Sequence, residues 1–563
     1  MIVGLDMGGT HIDAVIIKDG KIINNIKRAY DSNNLFQDLW GSLQSLLNDY
    51  DKSQIKRINL STTISTNAIV EDKTSSVGMI IQSGPGLSND FLACGDENVF
   101  VSGSIDHRGN VVQELDISEL KKAVILFKDK NINNCAIVTK FSTRNPKHEI
   151  EIKKFIEDDF SFITMGHSLS GKLNFPRRVF TAYLNAAVYD SFKNFAINIK
   201  KSLEKEGISA PVFILKADGG TINLSTTENI PVETILSGPA ASFMGMNAFF
   251  STDEDAILLD IGGTTTDIFF LADGIPLFES QGIQINHYKT LVRSIFSVSM
   301  GLGGDSSIRI KDGQLKIGPK REGPPYAFGG PMPTPTDAMI TLGLIHVEDE
   351  EIFKKAKKSI ESLTNGLNQS VEDMAITILN TMAHMIKNRI DELLGEINSK
   401  PVYTVRELLY GKTITPKSIQ IIGGPAKVLS KILEKRFNLP CYYPKNHHIA
   451  NAIGAALAKP TTEINMLVDT SKRVLSVPEL GLYERVDKNY TLDDAKKRAL
   501  SLLEKEALNI GSDKDIVETE IVEESSFNMV RGFYTTGKNI RIKAQIKPGL
   551  SYKLKDGAID VKS

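Results

Sequence analysis

One strand-and-turn unit occurs twice in this chain and limits what it can fold into. Met1-Ile2-Val3-Gly4-Leu5-Asp6-Met7-Gly8-Gly9-Thr10 is an apolar run ending in Asp-x-Gly-Gly-Thr, and Leu258-Leu259-Asp260-Ile261-Gly262-Gly263-Thr264-Thr265-Thr266-Asp267 repeats it. Each run reads as a strand that turns at the glycines and resumes as strand. Backbone N–H groups of a glycine turn can approach an anion closely. The threonine adds a hydroxyl donor, and the aspartate can hold a hydrated Mg²⁺ beside phosphate oxygens. A single Asp-Gly-Gly turn joins many hairpins. Two copies imply two similar lobes closing on one nucleotide.

A third element fits the same plan. Residues 417–426 read as strand, Gly423-Gly424-Pro425 turn and the start of a helix, and 449–458 form a small-residue helix suited to close packing between lobes. The order of phosphate turn, phosphate turn, Gly-Gly-Pro turn and Ala/Gly helix is similar to that of the actin, Hsp70 and sugar kinase superfamily. The expected fold is therefore α/β, a two-lobed actin-like (ribonuclease H-like) ATPase, with a small C-terminal α+β appendix.

At 563 residues several domains are expected. The division read from the pattern is an N-terminal lobe over 1–175, a second lobe over 176–460, and the appendix over 461–563. A formal charge of −2 leaves no electrostatic footprint for nucleic acid or an anionic membrane. No apolar run reaches membrane-spanning length, so a soluble protein is expected. Cys94, Cys135 and Cys441 lack paired spacing for zinc or a disulfide framework, which fits a reducing cytoplasm. The N-terminus enters a core strand at once and leaves no room for a signal peptide.

Strands are expected at 1–6, 11–18, 21–28, 55–60, 77–82, 135–141, 211–216 and 256–261. Helices are expected at 35–47, 117–129, 146–157, 348–363 and 368–395, with one long helix over 175–203 and another opening at Ser237. Residues 301–337 are rich in Gly and Pro and read as a functional loop. In the appendix, strands near 472–476, 516–523, 527–533 and 539–546 flank a helix near 492–508.

Several motifs together resemble the hydantoinase A / 5-oxoprolinase family of that superfamily. Gly4 to Asp13 is similar to its opening Gly-x-Asp-x-Gly-Gly-Thr-x-x-Asp, and Ser61-Thr62-Thr63-Ile64-Ser65-Thr66-Asn67-Ala68 to its Ser-Thr-Thr-x-x-Thr-Asn-Ala. Ser237-Gly238-Pro239-Ala240, Asp260 to Asp267 and Pro335-Thr336-Asp337-Ala338 also correspond. The resemblance runs from Met1 to about Ala458. It departs at Gly301-Leu302-Gly303-Gly304-Asp305-Ser306, where the family keeps bare glycine backbone, and at Pro176-Arg177-Arg178, where the family has an acid before arginine.

The resemblance implies ATP-dependent phosphorylation of an amide, lactam or enol oxygen, followed by attack of water or a second nucleophile. It implies ATP and Mg²⁺ as cofactors. Family members often work with a hydantoinase B-type subunit; a homo-oligomer is the other assembly considered. Asp6 and Asp260 are expected to organise Mg²⁺. Gly8, Gly9, Thr10, Gly262, Gly263, Thr264 and Thr265 are expected to cradle phosphates, and Gly423, Gly424 and Pro425 to border the adenosine. Asp13 and Asp267 could serve the metal shell or tie down their turns. Thr62, Thr63, Thr66 and Asn67 are substrate-side candidates, against a capped strand-to-helix turn. Asp305 is either a general base or metal ligand, or a brace within a glycine turn. His107-Arg108 reads as a solvated hairpin turn; His167, His447 and His448 read as structural. Two further readings stay open: a small-molecule kinase releasing a stable phosphorylated product, and a nucleotide switch driving a partner protein.

Overall fold

The computed structural model describes residues 1–8, 11–29, 34–279, 281–311, 313–364, 369–399, 413–511, 517–531 and 533–554. Two mixed sheets share one topology. In the first, Ile2–Met7 runs antiparallel to His11–Lys18, which pairs with Lys21–Ala29 across Asp19-Gly20. Both turn residues have positive φ (52° and 80°), the geometry a two-residue hairpin needs to match strand twist. On its other side Ile2–Met7 lies parallel to Arg57–Thr62, then Val212–Leu215, with Thr221–Asn223 at the edge. In the second sheet Ala256–Ile261 is antiparallel to Thr266–Ala272 and parallel to Ser418–Ile422, followed by Cys441–Tyr442. Each sheet thus sets its Asp-bearing strand at the centre, between an antiparallel partner and parallel neighbours. The first sheet draws strands from both sides of residue 175, the expected limit of the N-terminal lobe.

Between Arg57–Thr62 and Val212–Leu215 the chain inserts a parallel four-stranded sheet in the order Phe162–Met165, Asn134–Thr139, Val77–Gln82, Glu97–Phe100. Asn134–Thr139 and Val77–Gln82 are buried along their whole length, as expected for strands covered on both faces.

Two helices of small residues, Ser237–Phe249 and Ala450–Leu457, hold the two main sheets together. A Cβ on Gly454 would lie 2.2 Å from the Ala241 carbonyl oxygen, and one on Gly245 2.2 Å from that of Ala450. Gly4 likewise has the Ala452 carbonyl 2.2 Å from where its Cβ would be, so the second helix also rests directly on the first Asp strand. The surrounding core is shared: Val15, Ile17 and Leu215 of the first sheet pack in one cluster with Leu258 and Phe269 of the second and Ile453 and Ala456 of the helix.

The C-terminal residues form a five-stranded antiparallel sheet in the order Leu482–Arg485, Val474–Val477, Glu463–Asp469, Tyr534–Ile546, Thr519–Arg531, with Leu492–Asn509 packed on it around a core of its own. Two local expectations are corrected. The long helix over 175–203 is two helices, Phe175–Ala187 and Tyr189–Lys205, meeting at Val188. The segment 301–337 carries a hairpin, Ile308–Lys311 with Gln314–Ile317, and ends in a helix, Pro335–Thr341. Asp337 is buried in the capping box of that helix, with Thr334. Among the described residues no helix is long and apolar enough to cross a membrane.

Candidate functional site

The two Asp turns are built alike. Gly8 N–H donates to the His11 carbonyl at 3.1 Å, and Gly262 N–H to that of Thr265 at 2.9 Å, so each turn is closed three residues on. The strand register then sets Asp6 opposite Asp13 and Asp260 opposite Asp267. Among the described residues a Cβ on Gly8 or Gly262 would meet only its own turn within 4 Å, at 3.7 and 3.5 Å, so both glycines border open space. Thr264 is exposed and Thr265 half-buried there. Gly9 and Thr10, expected to complete the first cradle, lie outside the described residues.

Four carboxylates therefore sit where the two sheets face each other, and burial dominates their titration. Burial, and then the charge of Asp13, push Asp6 up to about 7 against a hydrogen bond from Ser61. Burial and then Asp260 do the same to Asp267, also to about 7. Asp260 is raised by burial while bonds from Ser242 and Asn451 oppose it. Ser242 Oγ donates to Asp260 Oδ2 at 2.6 Å, and Asn451 Nδ2 reaches the same oxygen at 3.3 Å. Asn451 also favours the charged form of Asp6, so one amide on the small-residue helix acts on both lobes' aspartates. Asp13 is engaged differently: Lys27 Nζ grips both its oxygens at 2.8 and 2.7 Å.

Asp6 Oδ1 is buried without a hydrogen-bond partner among the described residues. An orphaned carboxylate oxygen, facing a second carboxylate held by neutral donors only, suits a hydrated divalent cation: oxygen ligands of net negative charge with room for water. The residues present fit Mg²⁺ in that place, with Asp6 and Asp260 as its organisers.

Gly423 closes the site from the second lobe. Its φ is +95°, and a Cβ there would lie 2.2 Å from the Ile261 carbonyl and 2.8 Å from Asp260 Oδ1. Gly424 has nothing within 4 Å of a would-be Cβ, so a flat surface is open beside Pro425. His447 braces this turn, with Nδ1 2.7 Å from the Gly423 carbonyl oxygen.

Asp305 lies directly over the second turn. Its N–H donates to the Gly263 carbonyl at 2.7 Å, and its Oδ2 would lie 2.7 Å from a Cβ on Gly263. Arg321 Nη2 pairs with that Oδ2 at 3.1 Å and Thr336 Oγ1 donates to Oδ1 at 3.1 Å. Burial raises the carboxyl while Arg321, Thr336 and His11 of the opposite turn act against it. The acid is engaged on both oxygens and faces both lobes.

The Ser-Thr-Thr segment sits at the C-terminal end of Arg57–Thr62 and starts the helix Ile64–Val70. Thr62 is buried: its hydroxyl accepts from Ile64 N–H, and its backbone exchanges bonds with Ser237 Oγ. Thr66 Oγ1 accepts from Leu236 N–H at 2.9 Å, fixing a residue at φ +58° just before the Ser237–Phe249 helix. Asn67 Nδ2 donates to Thr63 Oγ1 at 3.2 Å. Thr63, Thr66 and Asn67 are half-buried, and the motif joins the first sheet to the crossing helix.

The other expectations fall out simply. Asp106 accepts from Arg108 and Asn110 N–H in an exposed turn that holds His107. His167 Nδ1 is 2.6 Å from the buried Glu149. The three cysteines are free, with Cys135 wholly buried.

Residues 2–160 match the family model described as hydantoinase/oxoprolinase N-terminal region, and residues 178–464 the model described as hydantoinase/oxoprolinase. The chain is 23% identical over 403 residues to the acetophenone carboxylase gamma subunit of Aromatoleum aromaticum, covering 61% of this chain and 53% of that one. It is 27% identical over 256 residues to the caprolactamase subunit alpha of Pseudomonas jessenii, covering 44% and 36%. The chain spans about half the length, or less, of these curated relatives. A nucleotide-free structure of acetone carboxylase, from work on ATP-dependent acetone carboxylation, superposes with a TM-score of 0.71 at 16% identity, covering 98% of this chain and 88% of that chain. The fold is thus shared over nearly its whole length.

Proposed function

The chain belongs to the hydantoinase/oxoprolinase family, and from that premise we propose that it is an ATP-dependent enzyme that activates a carbonyl compound by phosphorylating its oxygen. The substrate class proposed is a cyclic amide such as a hydantoin, oxoproline or related lactam, with an enolisable ketone as the alternative. The observation that carries this is the pair of like-built Asp turns, faced across one cleft, with Asn451 donating to Asp260 at 3.3 Å and favouring the charged form of Asp6. Relatives named for a lactam and for ketones support the choice of substrate class.

Nitrogen donation makes an amide carbon a poor electrophile and its amine a poor leaving group. The carbonyl oxygen attacks the γ-phosphorus; an O–P bond forms as the bond to the β,γ-bridging oxygen breaks and ADP leaves with its electron pair. Water then adds to the activated carbon and gives up a proton, the C–N bond breaks as nitrogen takes a proton, and a second water cleaves the resulting acyl phosphate to carboxylate and phosphate. Mg²⁺ would neutralise charge on the phosphates and on the departing ADP. The chain's own part is positioning and electrostatics. In this reading the turn N–H groups at Gly8 and Gly262–Gly263, with Gly9, Thr10, Thr264 and Thr265, hold the phosphates. Asp6 and Asp260 order the metal's water shell, and Gly423, Gly424 and Pro425 border the adenosine. Thr63, Thr66 and Asn67 face the substrate, while Thr62 supports them from the core. Asp305 stands between the second turn and His11, placed to steer water or substrate beside the transferring group. Both curated relatives are named as subunits, which supports a hydantoinase B-type partner that completes the reaction. A cytoplasmic setting is part of the same proposal.

The test is ADP release by the purified protein with Mg²⁺ over a panel of lactams, hydantoins, ketones and sugars. Stimulation by a lactam or ketone, silent in Asp6→Asn and Asp260→Asn, is expected. Stimulation by a sugar with a stable phosphorylated product would overturn the reading in favour of a kinase.

A further inference from the structure

Away from the Asp turns, a cavity of about 310 Å³ opens between the inserted sheet's loops and the C-terminal sheet. Thr143, Arg144 and Lys172 line one side, and Arg541 and Lys543 the other. Lys543 is neutralised by Glu463 at 3.2 Å. Among the described residues, Arg144, Lys172 and Arg541 have no carboxylate within ion-pair distance, and the one side-chain hydrogen bond among the three is Arg541 Nε to Asn539 Oδ1 at 3.4 Å. Of the two acids lining the cavity, Glu524 is held by Lys496 at 2.6 Å, and Glu523, opposite Lys543 in the strand register, acts on Lys172 from beyond ion-pair distance.

Unpartnered donors accompany the unpaired charges. Thr143 is 3% exposed, and its Oγ1 has no hydrogen-bond partner; Arg144 Nε and the neighbouring Ser142 Oγ are buried in the same condition. Each such group is costly to bury unless something bonds it. Burial, and then Arg541 beside it, push the Arg144 guanidinium down to about 10. Three cations that no acid pairs directly, with a buried hydroxyl beside them, line one cavity and describe a receptor for negative charge, since guanidinium forks match carboxylate and phosphate geometry.

We propose that this cavity binds the carboxylate or phosphate head group of a small metabolite, held by Arg144, Lys172 and Arg541 with the Thr143 hydroxyl as an added donor. The volume suits a small molecule. Its two walls come from units that meet here, so the bound anion ties the C-terminal sheet to the inserted one. The site is separate from the nucleotide cleft and does not depend on the reading given to that cleft.

Calorimetric titration of the full chain with inorganic phosphate, and separately with succinate, tests this. Each is run with and without saturating ADP and Mg²⁺, which separates the cavity from any phosphate site at the Asp turns. Saturable one-to-one binding of at least one anion is expected in both conditions, weakened tenfold or more in Arg144→Gln and Arg541→Gln. Thr143→Val, nearly isosteric, is expected to lose a smaller factor, about threefold to tenfold, and keeps the test open if an arginine variant folds poorly. Unfolding without anion should stay at the wild-type temperature or rise, because a like-charge pair is relieved. Which anion binds tells carboxylate from phosphate. Absence of saturable binding by the wild type, or binding that all three variants retain, overturns the proposal.

Discussion

Asp6 Oδ1, buried without a hydrogen-bond partner among the described residues, is a costly polar atom unless a cation or proton meets it. Asp6→Asn and Asp260→Asn are therefore expected to lower substrate-stimulated ADP release at least about a hundredfold, the scale of losing an electrostatic organiser, while the unfolding temperature holds or rises. Steady-state kinetics with differential scanning calorimetry checks both halves. The pH dependence follows from the same atoms. Asp6 and Asp267 sit near 7 in the folded chain against an ordinary value of 3.8. The native state keeps protons the unfolded chain has released, so stability is full below about 4 and falls as pH rises toward 7. Mg²⁺ with nucleotide is expected to flatten that fall; an unfolding temperature that rises over pH 4–7 without Mg²⁺ would contradict it. The glycines beside them separate folding from binding. Gly423→Ala must adopt φ +95° and collide with the Ile261 carbonyl, costing at least about 2 kcal/mol. Gly424→Ala meets nothing within 4 Å and should melt as wild type does, yet bind ATP more weakly if the adenosine lies there. Asp6, Asp260 and Gly423 were legible because turn chemistry is local. Asn451 and Ser242 were not: each is a single polar residue in a helix of small ones, and its role exists only once two distant sheets face each other.

At the scale of elements, the strands His11–Lys18, Val77–Gln82 and Ala256–Ile261 and the helices Leu35–Leu47 and Ile117–Asp129 coincide with their sequence-based limits. Their apolar periodicity is strong, and several ends carry a marker: Asp19-Gly20 after the first, Gly262 after Ala256–Ile261 and the Asp116 cap before Ile117–Asp129. The missed break at Val188 has no such marker, since neither Pro nor Gly is present and Phe192 N–H still reaches the Val188 carbonyl at 3.0 Å. The hairpin 308–317 was hidden by the Gly and Pro around it, its own turn depending on Gly313 at φ +71°. Glu463–Asp469 alternates buried and half-buried, a signal present in Ile464, Met466 and Val468 but overshadowed by the neighbouring Pro-Thr-Thr. The small-residue helix was read for close packing, and its glycines show how tight that packing is. Gly454→Ala places a methyl 2.2 Å from the Ala241 carbonyl and 2.3 Å from Gly245 N. A loss of about 1–3 kcal/mol is expected, with weaker nucleotide binding because Asn451 is carried on the same helix. Denaturant melts together with an ATP titration check the pair; a variant as stable as wild type would show that the helices can separate at no cost.

For the molecule as a whole, the question is whether the two Asp turns act on one ligand or two. In the proposed reading each turn alone would be a short anion cradle, and the shared core between the sheets allows them to face each other without a ligand. Asn451, which donates to Asp260 and favours the charged form of Asp6, makes the two turns sensitive to each other's charge. If ATP and Mg²⁺ lie between them, binding draws on both lobes, and the stabilisation it gives, about 2.7 kcal/mol at a hundredfold excess over Kd, should require both aspartates. Hydrogen exchange along Ser237–Phe249 and Ala450–Leu457 should slow in step with it, because a closed cleft restrains the helices that join the lobes. Asp6→Asn and Asp260→Asn each change one lobe only. Loss of the Mg²⁺-ATP stabilisation and of the added protection in both variants is the expected result. Full retention in Asp6→Asn with loss in Asp260→Asn would instead put the nucleotide on the second lobe, and the first turn would be free to hold a different anion, such as the phosphorylated product.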